Sequence, residues 1–391
     1  MVLARDKNGG SNLIRLSPGG DYVQRGAGPS DTMIAGTADG IYVLQRSAKG
    51  EWAVMHRALQ GCFVSAVTAC EDGTLFAGTH GVGMARSDDQ GRTWRWINQG
   101  LAQFDVWAAR VVKLNGRERI YAGTMPAHLF VSDDGESWRE LTALRQAPSI
   151  SQWFFPPPPH LGHVKEIVGH EGRRLMVGIE VGALLVSDDA GETFSELPVD
   201  PDPRDCDLHH IAVHPAMPDR IIISNGLAGM MTSEDRGRTW RRGPAPPGLD
   251  YPDPLVMHPD DPNVLFVAGA VGWPSHWYPI NRSRTKIARS RDGAKNWERL
   301  LGGLPDGQRA IFSAMTLEAW DGGFAVYAGD TDGQIFESRD GGDRWHMIVE
   351  VGPMSKGDFY RGLAKNRPPM ANIDDLKIPG PAAARIAKAE V

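Results

Sequence analysis

A short polar stretch ending in an aromatic residue recurs along this chain, and nothing else in it constrains the fold as much. It reads SDDQGRTW from Ser87, SDDAGETF from Ser187, SEDRGRTW from Ser233 and SRDGGDRW from Ser338. Aligned on the last residue, the series is Trp94, Trp138, Phe194, Trp240, Trp297 and Trp345. A worn copy, QRSAKGEW, precedes them and ends at Trp52. This makes seven units, about 42 to 57 residues apart. A period of that length marks one array of repeated supersecondary units.

Each unit has the same internal order. An apolar run such as HIAVHP or PLVMHP comes first. A second run ends in a small residue, as in LFAGT, IYAGT, LMVGI and VYAGD. A third leads into the octapeptide, as in GALLVSDD, and a short last run follows the aromatic, as in WRWINQG. Four short strands with glycine-rich turns predict one blade of a β-propeller. The expected fold is all-β, a seven-bladed β-propeller over residues 1–350, with 351–391 as an extension packed on its surface. Helical periodicity is weak except near residues 356–366 and in the tail. Ring closure is expected to bring NLIRLS near the start and HMIVEVG after Trp345 into one blade.

The octapeptide resembles the Asp box, or BNR repeat, of sialidases, sortilin-type receptors, xyloglucanases and photosystem II assembly factors. The match is close at Ser87, Ser187 and Ser233 and looser at Ser132, Ser290 and Ser338. It covers roughly residues 31–347. The resemblance implies Asp-box hairpins on a propeller and no single activity, since those proteins do unrelated things. Residue chemistry gives the same answer. Ser and Asp side chains satisfy backbone N–H groups in a tight turn, Gly takes the awkward backbone angles, and the aromatic packs between sheets. The box is therefore a hairpin stabiliser between third and fourth strands. A catalytic sialidase is not expected: the Arg-Ile-Pro-type signature is missing, and VQRGAGP around Arg25 is a poor substitute.

If the boxes mark one face, the turns between second and third strands lie on the other, beside the central channel, as do the blade-to-blade connections. Asp39, Asn225 and Asp332 in those turns are ordinary turn residues. His80, His128 and Glu180 are not, and turn chemistry gives no reason for them. The connections add Trp153, Phe154, Phe155, His160 and His163 before the fourth blade, and Asp205, Asp207, His209 and His210 before the fifth. Tyr251 and Asp253 precede the sixth, whose insert GWPSHWYPINRSR carries His276 and Trp277. Two aromatic loops on one rim predict a walled pocket. His170, His214 and His258 fall on the box face and His56 and His346 on outer strands, where a structural role is expected.

The chemistry expected at the channel mouth follows from these residue types. Glu180, His163 and His210 are the candidate acid–base groups, since His suits proton transfer near neutral pH. Trp153, Phe154, Phe155, His276, Trp277, Tyr251 and Asp207 are the candidate substrate contacts. His80, His128, His163, Glu180 and His209 are candidate ligands for Zn, Fe, Mn or Cu, which imidazole with a carboxylate suits better than Ca or Mg. The function expected is a hydrolase or a lyase acting on a small molecule, with or without such a metal. Two alternatives stand beside it. One is a non-enzymatic scaffold binding a peptide or protein. The other is a glycoside hydrolase pairing Glu180 with Asp207 or Asp330.

Composition narrows the partners. The net charge of -6 gives no general pull toward nucleic acid or an anionic membrane surface. No run of about 18 apolar residues occurs, so no membrane span is expected. The start of the chain lacks a secretion-type apolar stretch, and Cys62, Cys70 and Cys206 are too few for a disulfide framework. A cytoplasmic protein is the expectation, with the tail offering an oligomer contact.

Overall fold

A computed structural model describes residues 13–170, 172–200, 205–357 and 365. Seven sheets are present, six of four strands and one of five, in a seven-bladed β-propeller. Blades two to six each run from a long inner strand to a short outer one, whereas the innermost strands of blades one and seven, Ile14–Leu16 and Val23–Arg25, are only three residues long. Blade two, for example, consists of Val64–Ala69, Leu75–Thr79, Gly83–Ser87 and Arg95–Trp96. One α-helix, Pro274–Ile280, occurs among the described residues, in the insert of blade six. No helix of the described residues is long and apolar enough to cross a membrane.

The core is divided by blade interface. Each of seven apolar clusters spans two neighbouring blades, and each contains one of the seven repeated aromatics. Trp52 packs between blades one and seven, Trp94 between one and two, and Trp138 between two and three. Phe194, Trp240, Trp297 and Trp345 fill the next four interfaces. The period read from the sequence is thus the period of blade-to-blade packing.

A glycine stands near the end of the second strand in every blade but the fifth, which has Ser224, and in several of them it has a packing reason. A Cβ at Gly78 would lie 2.7 Å from Val106 of the next blade, one at Gly123 would lie 2.3 Å from Val164, and one at Gly178 would lie 2.2 Å from Leu208. The bare backbone lets the neighbouring inner strand close in. At Gly329 of blade seven the close neighbour is Met354, only 2.0 Å from such a Cβ. Residues past the last blade therefore fill the place that a next blade would occupy.

The boxes behave as local turn devices. Ser187 Oγ accepts from Gly191 N–H at 2.7 Å, while Asp189 Oδ1 accepts from Thr193 N–H at 2.9 Å and its Oδ2 from the Thr193 hydroxyl at 2.7 Å. The pattern repeats at Ser87, Ser233 and Ser290. In the Ser290 box Ala294 stands where the others have Gly and still adopts φ 65°.

Ring closure departs from the expectation. The initial segment contributes to two blades. Ile14–Leu16 pairs in parallel with Thr32–Thr37 in blade one, and Val23–Arg25 pairs in parallel with Phe312–Trp320 in blade seven. The turn between them lies in the channel: Gly19 N–H donates to Ser65 O, Asp21 N–H to Val67 O, and Ala109 N–H to Gly19 O. Residues after His346–Glu350 do not lie on the outer surface either. Ala38 N–H donates to Pro353 O, Met354 N–H to Asp330 O, and Lys356 is buried at the axis. The expected helical stretch at 356–366 and the expected surface tail fall largely outside the described residues.

Candidate active site

Six inner strands carry a β-bulge at the same level near the channel face. In blade two Val64 faces Thr79 and Ala66 faces Gly78, leaving Ser65 as the extra residue. The same slip leaves Trp107, Lys165, His209 and Ser313 extra in blades three, four, five and seven. In blade six it falls between Pro252 and Leu255 and includes Asp253. A bulge breaks the two-residue alternation and re-aims a side chain. Repeated around the ring, it turns polar groups of adjacent blades toward one another.

Blades four to six supply the charged part of this ring. Lys165 Nζ contacts Glu180 Oε2, and His163 Nε2 lies 3.3 Å from the same oxygen. His209 Nε2 lies 3.4 Å from Asp207 Oδ1 and 3.6 Å from Glu180 Oε1. Its Nδ1–H donates to Pro252 O at 2.6 Å. His210 Nδ1 lies 3.2 Å from Glu166 Oε2, and its Nε2 lies 3.4 Å from Lys356 Nζ. Lys356 in turn contacts Asp253 Oδ1, and Arg110 donates to Glu166 Oε1 at 2.8 Å. All of these side chains are buried or nearly so. The contacts of His163 Nε2, His209 Nε2 and His210 Nδ1 are long and poorly aligned as hydrogen bonds, and His163 Nδ1 and Asp253 Oδ2 have no hydrogen-bond partner among the described residues.

Burial and charge pull these groups in opposite directions. Burial pushes His163 down to about 4 and, with Lys356 adding to it, pushes His210 down to about 4. Burial alone would raise Glu180, but the Lys165 ammonium holds it well below the usual carboxylate range. His209 moves upward: burial opposes its charge, and Asp207 and Asp253 more than offset that. Burial brings Lys356 down to about 8 despite Asp253. Asp253 itself is held low by Lys356 against its own burial.

Several sequence-derived candidates meet here. Glu180, His163, His209, His210 and Asp207 converge at the axis, and the Tyr251 ring lies 4.7 Å from that of His209. Phe155 and Trp107 enclose His163, with ring centroids 4.8 and 3.8 Å away.

Other candidates are placed elsewhere. His128 pairs with Glu140 at 2.8 Å on an outer strand, because the long Glu140 side chain reaches its turn. His80 bonds Asp105 at 2.6 Å and packs on Trp107 beside the cluster. Neither joins the expected metal set. Phe155 aside, the described aromatic side chains of the two loops are packed into the protein rather than gathered around the axial cluster. Trp153 packs on the core between blades three and four and donates to Ser149 Oγ, while Phe154 is held in place by backbone pairing with Val181. Trp277 is fully buried and donates to Gly272 O, whereas His276 is exposed. A small cavity of about 10 Å³, room for about one water, lies between Gly19, Ser65, His80, Trp107, Lys165 and Lys356.

Lys165, Glu166, Arg110 and Lys356 escaped the sequence reading. A signal existed for the first two: a Lys–Glu pair stands inside the apolar inner-strand run HVKEIVG. Lys356 carried none, since it lies beyond the last repeat.

The profile of the sortilin family (sortilin, neurotensin receptor 3) matches residues 182–312, less than half of the chain. No curated protein matches it in sequence. In structure it is similar to an ancestral GH74 enzyme at 16% identity and TM-score 0.58, over 73% of this chain and 38% of that one. It is also similar to the GH74 enzyme of Niastella koreensis at 16% identity and TM-score 0.56, over 85% and 55% of the two chains. The chain therefore spans about 38% and 55% of the length of those relatives. YCF48 bound to D1 peptide matches at 13% identity and TM-score 0.50, over 75% of this chain and 85% of that one. At such identities the likeness is one of fold. Together with the seven box aromatics in seven blade interfaces, it makes this chain a seven-bladed Asp-box β-propeller.

Proposed function

We propose that this propeller is an enzyme that moves protons on a small polar molecule at its axis, as a hydrolase or a lyase. The observation that carries this reading is the cluster of buried titratable groups His163, His209, His210, Glu166, Glu180 and Asp253, whose polar atoms meet through long, poorly aligned contacts or, at His163 Nδ1 and Asp253 Oδ2, have no hydrogen-bond partner among the described residues. Such atoms cost about 1–3 kcal/mol each, more when charged, and are retained where function needs them. Glu180, fixed by Lys165, is the proton-transferring carboxylate. His163 is the neutral imidazole beside it, His210 is the neutral imidazole held by Glu166, and Asp207 and Tyr251 contact the substrate. The glycosidase alternative is less favoured, because Glu180 is engaged by Lys165 and Asp207 by His209 rather than the two carboxylates standing free across a cleft.

The test is a panel of small esters, lactones and hydroxy acids followed by NMR on the full chain. Wild type is expected to turn over at least one class. Glu180→Gln is expected to lower kcat by about 100-fold or more with an unchanged circular dichroism spectrum. Turnover retained in Glu180→Gln would overturn the assignment.

A scaffold is the second reading, and a different observation favours it. Val82, Phe104 and Leu161 are exposed by 39%, 45% and 42% on channel-face segments of blades two to four. Apolar anchors of that kind suit a peptide, and one fold-level neighbour is bound to D1 peptide. Here Phe104→Asp should abolish partner binding, and Glu180→Gln should leave it intact.

A further inference from the structure

We infer that His209, Asp207 and Glu180 form a binding site for one divalent first-row transition ion, best suited to Zn(II). The inference rests on the reading of the axial cluster as a reactive site and adds a cofactor to it. Ligand atoms of these three residues all lie within 4.8 Å of one another, and all three side chains are buried.

The tautomer of His209 is the first argument. A carbonyl oxygen only accepts, so Nδ1, bonded to Pro252 O at 2.6 Å, carries a hydrogen. In the neutral ring Nε2 then presents its lone pair. That nitrogen is buried, makes no well-aligned hydrogen bond among the described residues, and faces carboxylate oxygens at 3.4 and 3.6 Å. A lone pair against two carboxylates is repulsive unless a cation lies between them. A histidine whose far nitrogen is held by a backbone carbonyl is also the usual arrangement of a metal ligand.

Distance separates a metal from a proton as that cation. A charge-assisted N–H···O bond closes to about 2.7–2.9 Å, shorter than either separation. Ligands about 2.0–2.2 Å from a tetrahedral ion stand about 3.3–3.6 Å apart, which matches both. Backbone shape makes room as well: a Cβ at Gly226 would lie 2.1 Å from Asp207 Oδ2. Charge agrees. The buried carboxylates Glu166, Glu180, Asp207 and Asp253 face three fixed cations, Arg110, Lys165 and Lys356. That leaves one negative charge to be balanced by the cation at His209 Nε2, whether proton or metal, because an unpaired buried charge is costly. One imidazole with two carboxylates selects Zn(II) or its neighbours over Ca(II) or Mg(II).

Cobalt(II) titration of the metal-stripped full chain tests this. Wild type should take up one equivalent, with visible bands of a four- or five-coordinate ion, and Zn(II) should displace it. Asp207→Asn and His209→Gln should each weaken binding at least 100-fold, while His128→Gln should not. No one-equivalent binding by folded wild type, or full binding by both axial variants, overturns the site. Turnover without metal binding removes the metal and keeps the acid–base reading. Metal binding without turnover of any substrate keeps the site and removes that reading.

Discussion

Two aspartates with nearly the same local hydrogen bonds behave in opposite ways. In the box, Asp189 Oδ1 accepts from the N–H four residues on, at 2.9 Å. On the channel face, Asp330 Oδ1 accepts from the N–H groups of Asp332 and Gln334, both at 2.9 Å. Each is an Asx-type turn. Burial would raise Asp189 too, but its exposure is enough for the Thr193 bonds to win, and it falls to about 2. Asp330 is buried, its Oδ2 has no hydrogen-bond partner among the described residues, and burial lifts it to about 7. The same turn is a plain structural device on one face and a perturbed group on the other. Local sequence sets the turn, and the surrounding packing sets its chemistry.

The strongest way to break this comparison is at the axis, where charges are balanced only by distant partners. Lys356→Met leaves Asp253 buried without its cation, and should cost about 3–5 kcal/mol in urea unfolding. Adding Asp253→Leu should recover much of that loss, because an apolar pair tolerates burial. A small effect of the single variant would mean that the cluster opens readily to water.

Asp330→Asn probes the channel-face turn. The folded carboxyl titrates near 7 and the unfolded one near ~3.9. Stability from this group is therefore full below about pH 4 and is lost as pH rises through 7. Asparagine keeps the accepting oxygen and cannot ionise. The variant should be more stable than wild type at pH 8, on the order of 2–4 kcal/mol, with little gain at pH 4. An equal gain at both values would contradict the burial argument.

Asp189→Ala should have the smallest effect, about 1 kcal/mol, from the lost Thr193 bonds. The sign of its pH dependence is reversed. Its folded value of about 2 is depressed, so its contribution is present above about pH 4 and is lost as pH falls toward 2. Wild type and variant should converge in stability at the acid end of a denaturation series. Persistent separation at pH 2 would show that packing, not the carboxylate, holds the box.

Part of the site was legible because it interrupts the repeat. Glu180 and His163 break turn and connection patterns, and the HH pair of blade five stands where other inner strands carry small residues such as Ala66 and Ala314. His128 interrupts a turn in the same manner, yet it faces Glu140 twelve residues on. A turn residue chooses its direction by which neighbour reaches it, and spacing does not contain that choice. The bulges that re-aim Lys165 and His209 are likewise set by register between strands.

By itself the sequence determined the blade count, the all-β fold and the inert role of the boxes. Those features depend on contacts within a few residues, such as the four-residue span from Asp189 to Thr193, and local chemistry repeats wherever local sequence repeats. Only the tertiary structure decided that the initial turn enters the channel, that Met354 completes the ring, and that Lys356 reaches the axis. The contact from Lys356 to His210 spans 146 residues, and the one to Asp253 spans 103. Groups so far apart meet only after seven blades have closed, and burial among those blades then sets which of them carry charge.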